Sequence, residues 1–220
     1  MFSFNRPVVL LGGGVCVTDT LLQLLQQDYP LIAADGGANY LAELSIIPEL
    51  IIGDLDSLSR QSYWESITRV VKLEEQDTTD FEKCLYSIDA PLYIGLGFTG
   101  KRLDHTLAAL HVVAKYSNRK RVILVGEDDS VLVCRGAHRF VVDRGTRFSI
   151  YPLEPVTFLQ STGLLYPLDG LTLAPTTMIG TSNEVLDQQV TLETAPDSDG
   201  AYAVILPLDT LTHMLEQLTN

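Results

Sequence analysis

Two aspartates one residue apart, Asp54 and Asp56, close the run Ile51-Ile52-Gly53-Asp54-Leu55-Asp56-Ser57. In an extended chain alternate side chains point the same way, so the two carboxylates share a face. Gly53 lets the backbone turn there or come close to a ligand. A second acidic cluster follows at Asp77-Thr78-Thr79-Asp80. Carboxylates this close repel one another unless a cation lies between them, and an oxygen-only set suits Mg²⁺ better than a soft metal. The chemistry implied is the holding of Mg²⁺ and a polyphosphate. Turn or helix-cap duty for Asp54, Asp56 and Ser57 accounts for one such motif. It accounts less well for two clusters together with the glycine-rich segments around them.

Other groups extend the pattern. Lys83 lies one helical turn past Asp80 and either faces an anion or is a solvated surface lysine. Gly97-Phe98-Thr99-Gly100-Lys101-Arg102-Leu103-Asp104-His105 reads as a flexible loop with two cations running into a helix start, which suits a phosphate clamp. Gly12-Gly13-Gly14 either offers backbone N–H groups to a phosphate or makes a tight turn; it is neither a Walker A sequence nor GxGxxG. Asp35 stands roughly 20 residues further on, where a dinucleotide fold keeps its ribose-binding acid. Asp77 and Asp80 are three apart, so one helical turn brings them together. Thr79 reads as the N-cap of the helix that follows. His105 is either a first-turn residue or a proton carrier. Gly180-Thr181-Ser182-Asn183-Glu184 reads as a polar turn, with recognition of a polar heterocycle as the sharper alternative.

Positioning these groups falls to a series of short apolar strands alternating with amphipathic helices. Strands are expected at 7–11, 30–34, 50–52, 69–73, 91–96 and 121–125. Helices are expected after Thr18 or Asp19, at 59–67, after Thr79 and through Leu107, Leu110 and Val113. This predicts an α/β domain, three-layered, with a mainly parallel sheet, over residues 1–127. Beyond Gly126 the signals become short strands punctuated by Gly and Pro, which predicts an all-β sandwich or barrel over 128–220. The tail around Leu211, Met214, Leu215 and Leu218 has helical spacing. In open α/β sheets, ligands bind beyond the carboxyl ends of the strands. Five polar or glycine-rich segments lie at such ends, from Gly12 to His105.

Composition bounds the reading. The 220 residues carry a formal net charge of -13, which argues against nucleic acid or an anionic membrane as partner. An anionic substrate therefore needs a metal or a local basic cluster. Cys16, Cys84 and Cys134 form no CxxC pair, which fits buried thiols in a reducing compartment. The apolar run from Val8 to Leu11 is too short for a signal segment or a membrane span. A cytoplasmic protein is expected.

The segments Ala34-Asp35-Gly36-Gly37-Ala38-Asn39, Gly53-Asp54-Leu55-Asp56-Ser57, Gln76-Asp77-Thr78-Thr79-Asp80-Phe81, Arg102-Leu103-Asp104-His105 and Thr181-Ser182-Asn183 resemble, in kind and order, the motif set of thiamine pyrophosphokinases. The resemblance spans about residues 8–206. It implies an N-terminal α/β domain and a C-terminal β-sandwich. It also implies a homodimer with active sites between the α/β domain of one chain and the β domain of the other, and Mg²⁺-dependent transfer of pyrophosphate from ATP to thiamine, giving thiamine diphosphate and AMP. By motif, Asp54, Asp56 and Asp80 are implied at the metal and polyphosphate, with Asp35, Gln76 and Asp77 supporting them. Thr79, Lys83, Lys101 and Arg102 are implied at phosphates, and Asp104 near the reacting groups. Ser182 and Asn183 are implied at thiamine, with Tyr166 stacking on its pyrimidine ring. Asp56, Asp80 and Asp104 are each candidates to accept the alcohol proton. Leu55 replaces an aromatic usual in that motif, and the last ten or so residues lie outside the pattern. The alternatives are a pyrophosphokinase for another heterocyclic alcohol, such as a hydroxymethylpterin, and a non-catalytic nucleotide or vitamin sensor.

Overall fold

The computed structural model describes residues 1–219 and divides into two compact units. The first comprises residues 1–112 and 122–127; the second takes 113–121 and 128 onward. The helix expected through Val113 therefore ends in the second unit.

The first unit is α/β. Its strands are β1 (Phe2–Ser3), β2 (Val8–Leu11), β3 (Leu31–Ala34), β4 (Leu50–Gly53), β5 (Arg69–Lys72), β6 (Ile88–Asp89), β7 (Tyr93–Leu96) and β8 (Val122–Val125). Its helices are α1 (Thr18–Gln26), α2 (Gly37–Glu43), α3 (Gln61–Ile67), α4 (Asp80–Ser87) and the greater part of α5 (Leu103–Tyr116). Six strands form one all-parallel sheet in the order β8-β7-β2-β3-β4-β5, and β1 pairs separately with β6. Every residue of β2, β3, β4, β7 and β8 is buried, as parallel strands covered on both faces require. Only β5, at the edge, shows charged and half-exposed side chains.

The chain runs outward from β2 through β3, β4 and β5, then returns to the other side of β2 with β7 and β8. The carboxyl ends of β2 and β7 thus mark the point where the connections diverge, the place at which such sheets open a crevice. Neither Thr18 nor Asp19 caps α1: its N-cap is Val17, and Thr18 Oγ1 instead meets the Tyr40 hydroxyl. Thr79 does cap α4, its Oγ1 accepting from the Glu82 N–H at 3.2 Å.

The second unit is β-rich. Its strands are β9 (Asp129–Cys134), β10 (His138–Val141), β11 (Arg147–Pro152), β12 (Val156–Thr162), β13 (Thr172–Leu173), β14 (Gly180–Glu184), β15 (Gln189–Thr194) and β16 (Tyr202–Pro207), followed by helix α6 (Leu211–Thr219). Antiparallel pairing gives β14-β11-β16-β9 and β10-β15-β12-β13. The two groups face each other through edge-to-face aromatic pairs, Phe140 on Phe148 and Phe158 on Tyr202. Residues 180–184, expected as a turn, form an edge strand: β14 gains its partners from β11, distant in sequence. The tail is helical as its spacing predicts, with Leu211, Met214 and Leu215 buried. Among the described residues no helix is long and apolar enough to cross a membrane.

Candidate active site

At the carboxyl ends of β2, β3, β4 and β7, the first unit encloses a cavity of about 570 Å³. Asp35, Asp54, Thr79, Asp80, Lys83, Lys101, Arg102 and His105 all line it. It is within the range of small-molecule sites.

Asp35 follows β3 in a left-handed conformation, φ +43°, and is 3 % exposed. Its Oδ2 accepts from the Ser57 N–H at 3.1 Å, while its Oδ1 is buried with no hydrogen-bond partner. Burial foremost, then Asp80 and Asp54, pushes its carboxyl above the usual range. Asp54 follows β4. Burial works to raise its pKa, but the Asp56 N–H, Lys83 and Gln76 outweigh that and hold it below the usual range. Those contacts are Asp56 N–H to Oδ1 at 3.3 Å, with Lys83 Nζ and Gln76 Nε2 each 3.2 Å from Oδ2. Asp80, first residue of α4, is raised by burial despite its bond to Lys83.

Asp54 and Asp56 do not share a face through strand alternation. The strand ends at Gly53 and the chain reverses at Leu55, φ +70°, whose side chain is buried. This turn brings one carboxylate oxygen each from Asp35, Asp54 and Asp56 within 4.8 Å of one another. Gly53 enables the convergence by absence: a Cβ there would lie 2.6 Å from the Cβ of Asp35 and 3.2 Å from Asp80 Oδ1. The acids that meet in this way are Asp35, Asp54 and Asp56, while Lys83 Nζ bonds both Asp54 Oδ2 at 3.2 Å and Asp80 Oδ1 at 3.1 Å. Three carboxylates with an unpartnered buried oxygen among them fit a hard divalent cation.

Lys101 and Arg102 line the same cavity as Asp35, Asp54 and Asp80. Lys101 is held at φ +50° with its Nζ 3.1 Å from Gly13 O. Arg102 is exposed and grips Asp104 with two bonds, Nε to Oδ1 at 3.1 Å and Nη2 to Oδ2 at 2.5 Å. That pairing raises Arg102 and lowers Asp104. The Gly12 and Gly14 N–H groups do not face an anion. They donate to Leu96 O and Gly97 O, and Val15 N–H donates to Thr99 O, so the loops after β2 and β7 are laced together. Gly97, φ +72°, permits this: a Cβ on it would lie 2.4 Å from Gly12 O. Asp77 is exposed and precedes α4, so no helical turn joins it to Asp80. Sequence reasoning missed Asn39, whose Nδ2 donates to Ser57 O and whose Oδ1 accepts from the Ser59 N–H, both at 2.8 Å. Its place behind Asp35-Gly36-Gly37 was visible, its task was not.

Ser182, Asn183 and Tyr166 belong to the second unit. Ser182 is exposed at a bulge of β14, φ +60°, its N–H on Ser149 Oγ at 2.9 Å. Asn183 is 4 % exposed; its Oδ1 accepts from the Tyr166 N–H at 3.0 Å and its Nδ2 donates to Tyr166 O at 2.7 Å. Tyr166 itself is 62 % exposed.

Fold and cleft together define an α/β protein with an acidic, cation-ready crevice at the switch point of a parallel sheet, in one chain with a β-rich unit. Comparisons narrow the class. The family model "Thiamin pyrophosphokinase, catalytic domain" matches residues 21–125, and "Thiamin pyrophosphokinase, vitamin B1 binding domain" matches 137–197. Thiamine pyrophosphokinase 1 of Oryza sativa subsp. japonica is 28% identical over 209 residues, covering 80% of this chain and 78% of that protein. Thiamin pyrophosphokinase 1 of Caenorhabditis elegans is 28% identical over 182 residues, 74% of each. Among solved structures, the thiamin pyrophosphokinase of Candida albicans superposes with a TM-score of 0.81 at 19% identity, covering 92% of this chain and 89% of that one. The enzyme from Bacillus subtilis gives 0.77 at 22%, covering 93% and 100%. The chain belongs to the thiamin pyrophosphokinase family.

Proposed function

We propose that this chain is a thiamine pyrophosphokinase, an ATP:thiamine diphosphotransferase that moves the β,γ-pyrophosphoryl group of ATP to the thiamine hydroxyl, releasing AMP. The observation that carries the reading is the convergence of Asp35, Asp54 and Asp56 on one point, with Asp35 and Asp54 lining the same cavity as Lys101 and Arg102, in a chain both of whose halves match the family. The hydroxyl oxygen forms its bond to the β-phosphorus as the bond to the α,β-bridging oxygen breaks, AMP leaves with that electron pair, and the hydroxyl proton passes to a carboxylate of the site, for which Asp56, Asp80 and Asp104 are the candidates. Such transfer depends on alignment and charge neutralisation.

Asp35, Asp54 and Asp56 would hold Mg²⁺, with Asp80 alongside. Bound there, it would neutralise phosphate oxygens in a chain otherwise too acidic to receive them. Gln76 steadies Asp54, and Ser57 Oγ donates to Asp56 Oδ1 at 2.9 Å. Lys101 and Arg102 meet the polyphosphate, with Asp104 orienting the guanidinium. Thr79 Oγ1 accepts from the Glu82 N–H, which leaves its O–H to donate to a phosphate. On this reading residues 1–127 form a three-layered nucleotide- and metal-binding domain. Residues 128–220 bind thiamine, through Ser182 and Tyr166, and build a homodimer whose active sites join the two kinds of domain across chains. Apolar side chains left exposed in the second unit, Leu159, Leu165 and Leu186 among them, support such an assembly.

The test is direct. Purified protein given ATP, thiamine and Mg²⁺ should form thiamine diphosphate and AMP in equal amounts, and EDTA should stop it. ATP and thiamine binding with no AMP formed would overturn the proposal in favour of a sensor.

A further inference from the structure

Lys83 is the group whose surroundings least resemble those of a substrate contact. It lies on α4, one turn beyond Asp80, and its side chain is 1 % exposed. Its Nζ sits 3.2 Å from Asp54 Oδ2 and 3.1 Å from Asp80 Oδ1. Asp54 comes from the end of β4 and Asp80 from the start of α4, so the ammonium ties the sheet to the helix at the acidic point. Lys83 lines the cavity as Lys101 and Arg102 do, but they hold their charged groups at the solvent-exposed surface while its ammonium is buried. Lys83 instead has two carboxylates for neighbours, and moving it to a phosphate would leave both half-buried acids with less compensation.

We infer that Lys83 is a positioning residue: a resident counter-ion that holds Asp54 and Asp80 in place when no divalent cation is bound, rather than a ligand of the polyphosphate. The inference rests on the metal-site reading above, and it goes beyond it in predicting how the site behaves without metal. With the ammonium removed, Asp35, Asp54, Asp56 and Asp80 face one another with no positive charge from this helix. The metal-free protein should then be weaker. A divalent cation should be bound more tightly, because it no longer competes with a fixed positive charge a few ångströms away.

The experiment compares the full chain with Lys83→Met, Lys83→Gln and Lys83→Arg, using Mn²⁺ alone and inorganic tripolyphosphate as probes. Lys83→Met and Lys83→Gln are expected to lower the thermal midpoint in EDTA by about 5 °C. Saturating Mn²⁺ should restore most of that loss, and the Mn²⁺ dissociation constant without nucleotide should fall about tenfold. Tripolyphosphate affinity at saturating Mn²⁺ should stay within about twofold of the native chain. Lys83→Arg, which keeps the charge, should keep the native midpoint in EDTA. If Lys83→Met does not fold without metal, Lys83→Gln and Lys83→Arg decide the matter by the same readouts. Unchanged midpoint and Mn²⁺ affinity with tripolyphosphate binding lost would overturn the inference and make Lys83 a phosphate ligand. Because none of these readouts is turnover, a chain that gave them yet made no AMP would sink the proposed activity and leave the role of Lys83 standing.

Discussion

Asp35 carries the clearest physical tension in the molecule: a buried carboxylate with one oxygen bonded to a backbone N–H and the other bonded to nothing. Its folded pKa is raised by burial, Asp80 and Asp54. The sign follows from linkage. As pH climbs past 3.8, the ordinary value, the unfolded chain gives up this proton before the folded one does. Stability is therefore lost between the ordinary and the raised pKa, and the deficit persists at neutral pH. Asp35→Asn should raise the metal-free melting midpoint at pH 7 by about 2–4 °C, an advantage that shrinks toward pH 4. Scanning calorimetry in EDTA across that range checks it; equal midpoints at every pH would mean that the orphaned oxygen costs nothing. Asp54→Asn and Asp80→Asn bear on the chemistry instead. Each should abolish thiamine diphosphate formation while leaving the circular dichroism spectrum native, and near-full activity in either would remove that residue from the site.

Single amides hold backbone segments together in the second unit. Asn183 clasps both main-chain groups of Tyr166, and Gln217 on α6 does the same to Val141 at the edge of β10, accepting from its N–H at 2.7 Å and donating to its carbonyl at 2.8 Å. Each side chain thus stands in for a missing strand, and the second caps an exposed sheet edge. Asn183→Ala leaves the clasped groups of Tyr166 without these bonds and should cost about 1–3 kcal/mol in urea melts, with a raised KM for thiamine and an unchanged KM for ATP. A melt within error of native would show that the clasp is incidental. None of this was legible in the sequence, because an amide's partners are chosen through space. What was legible rests on local rules. The apolar runs gave the parallel strands, and Thr79 before an acidic first turn gave the cap of α4. Tertiary partners settled the rest: β14 became a strand because β11 lies beside it, and Leu55 accepts a left-handed backbone because its side chain is buried.

For the whole molecule, a net charge of -13 means that the acidic crevice works against the field of the entire chain, and cations must offset it locally. If active sites form between the α/β part of one chain and the β part of another, two dead variants should repair each other. Asp80→Asn and Tyr166→Ala chains, each inactive alone, should regain roughly a quarter of native activity when refolded as an equal mixture. No recovery would place each complete site within one chain. The laced loops after β2 and β7 carry a further consequence, for descent. Carbonyl oxygens of each loop fill the space a side chain would need in the other, so Gly12, Gly14 and Gly97 form one inherited unit despite their distance along the gene. Drift at one of them is sterically blocked until the other loop has already yielded, and the rim of the crevice should therefore change in paired steps or stay as it is.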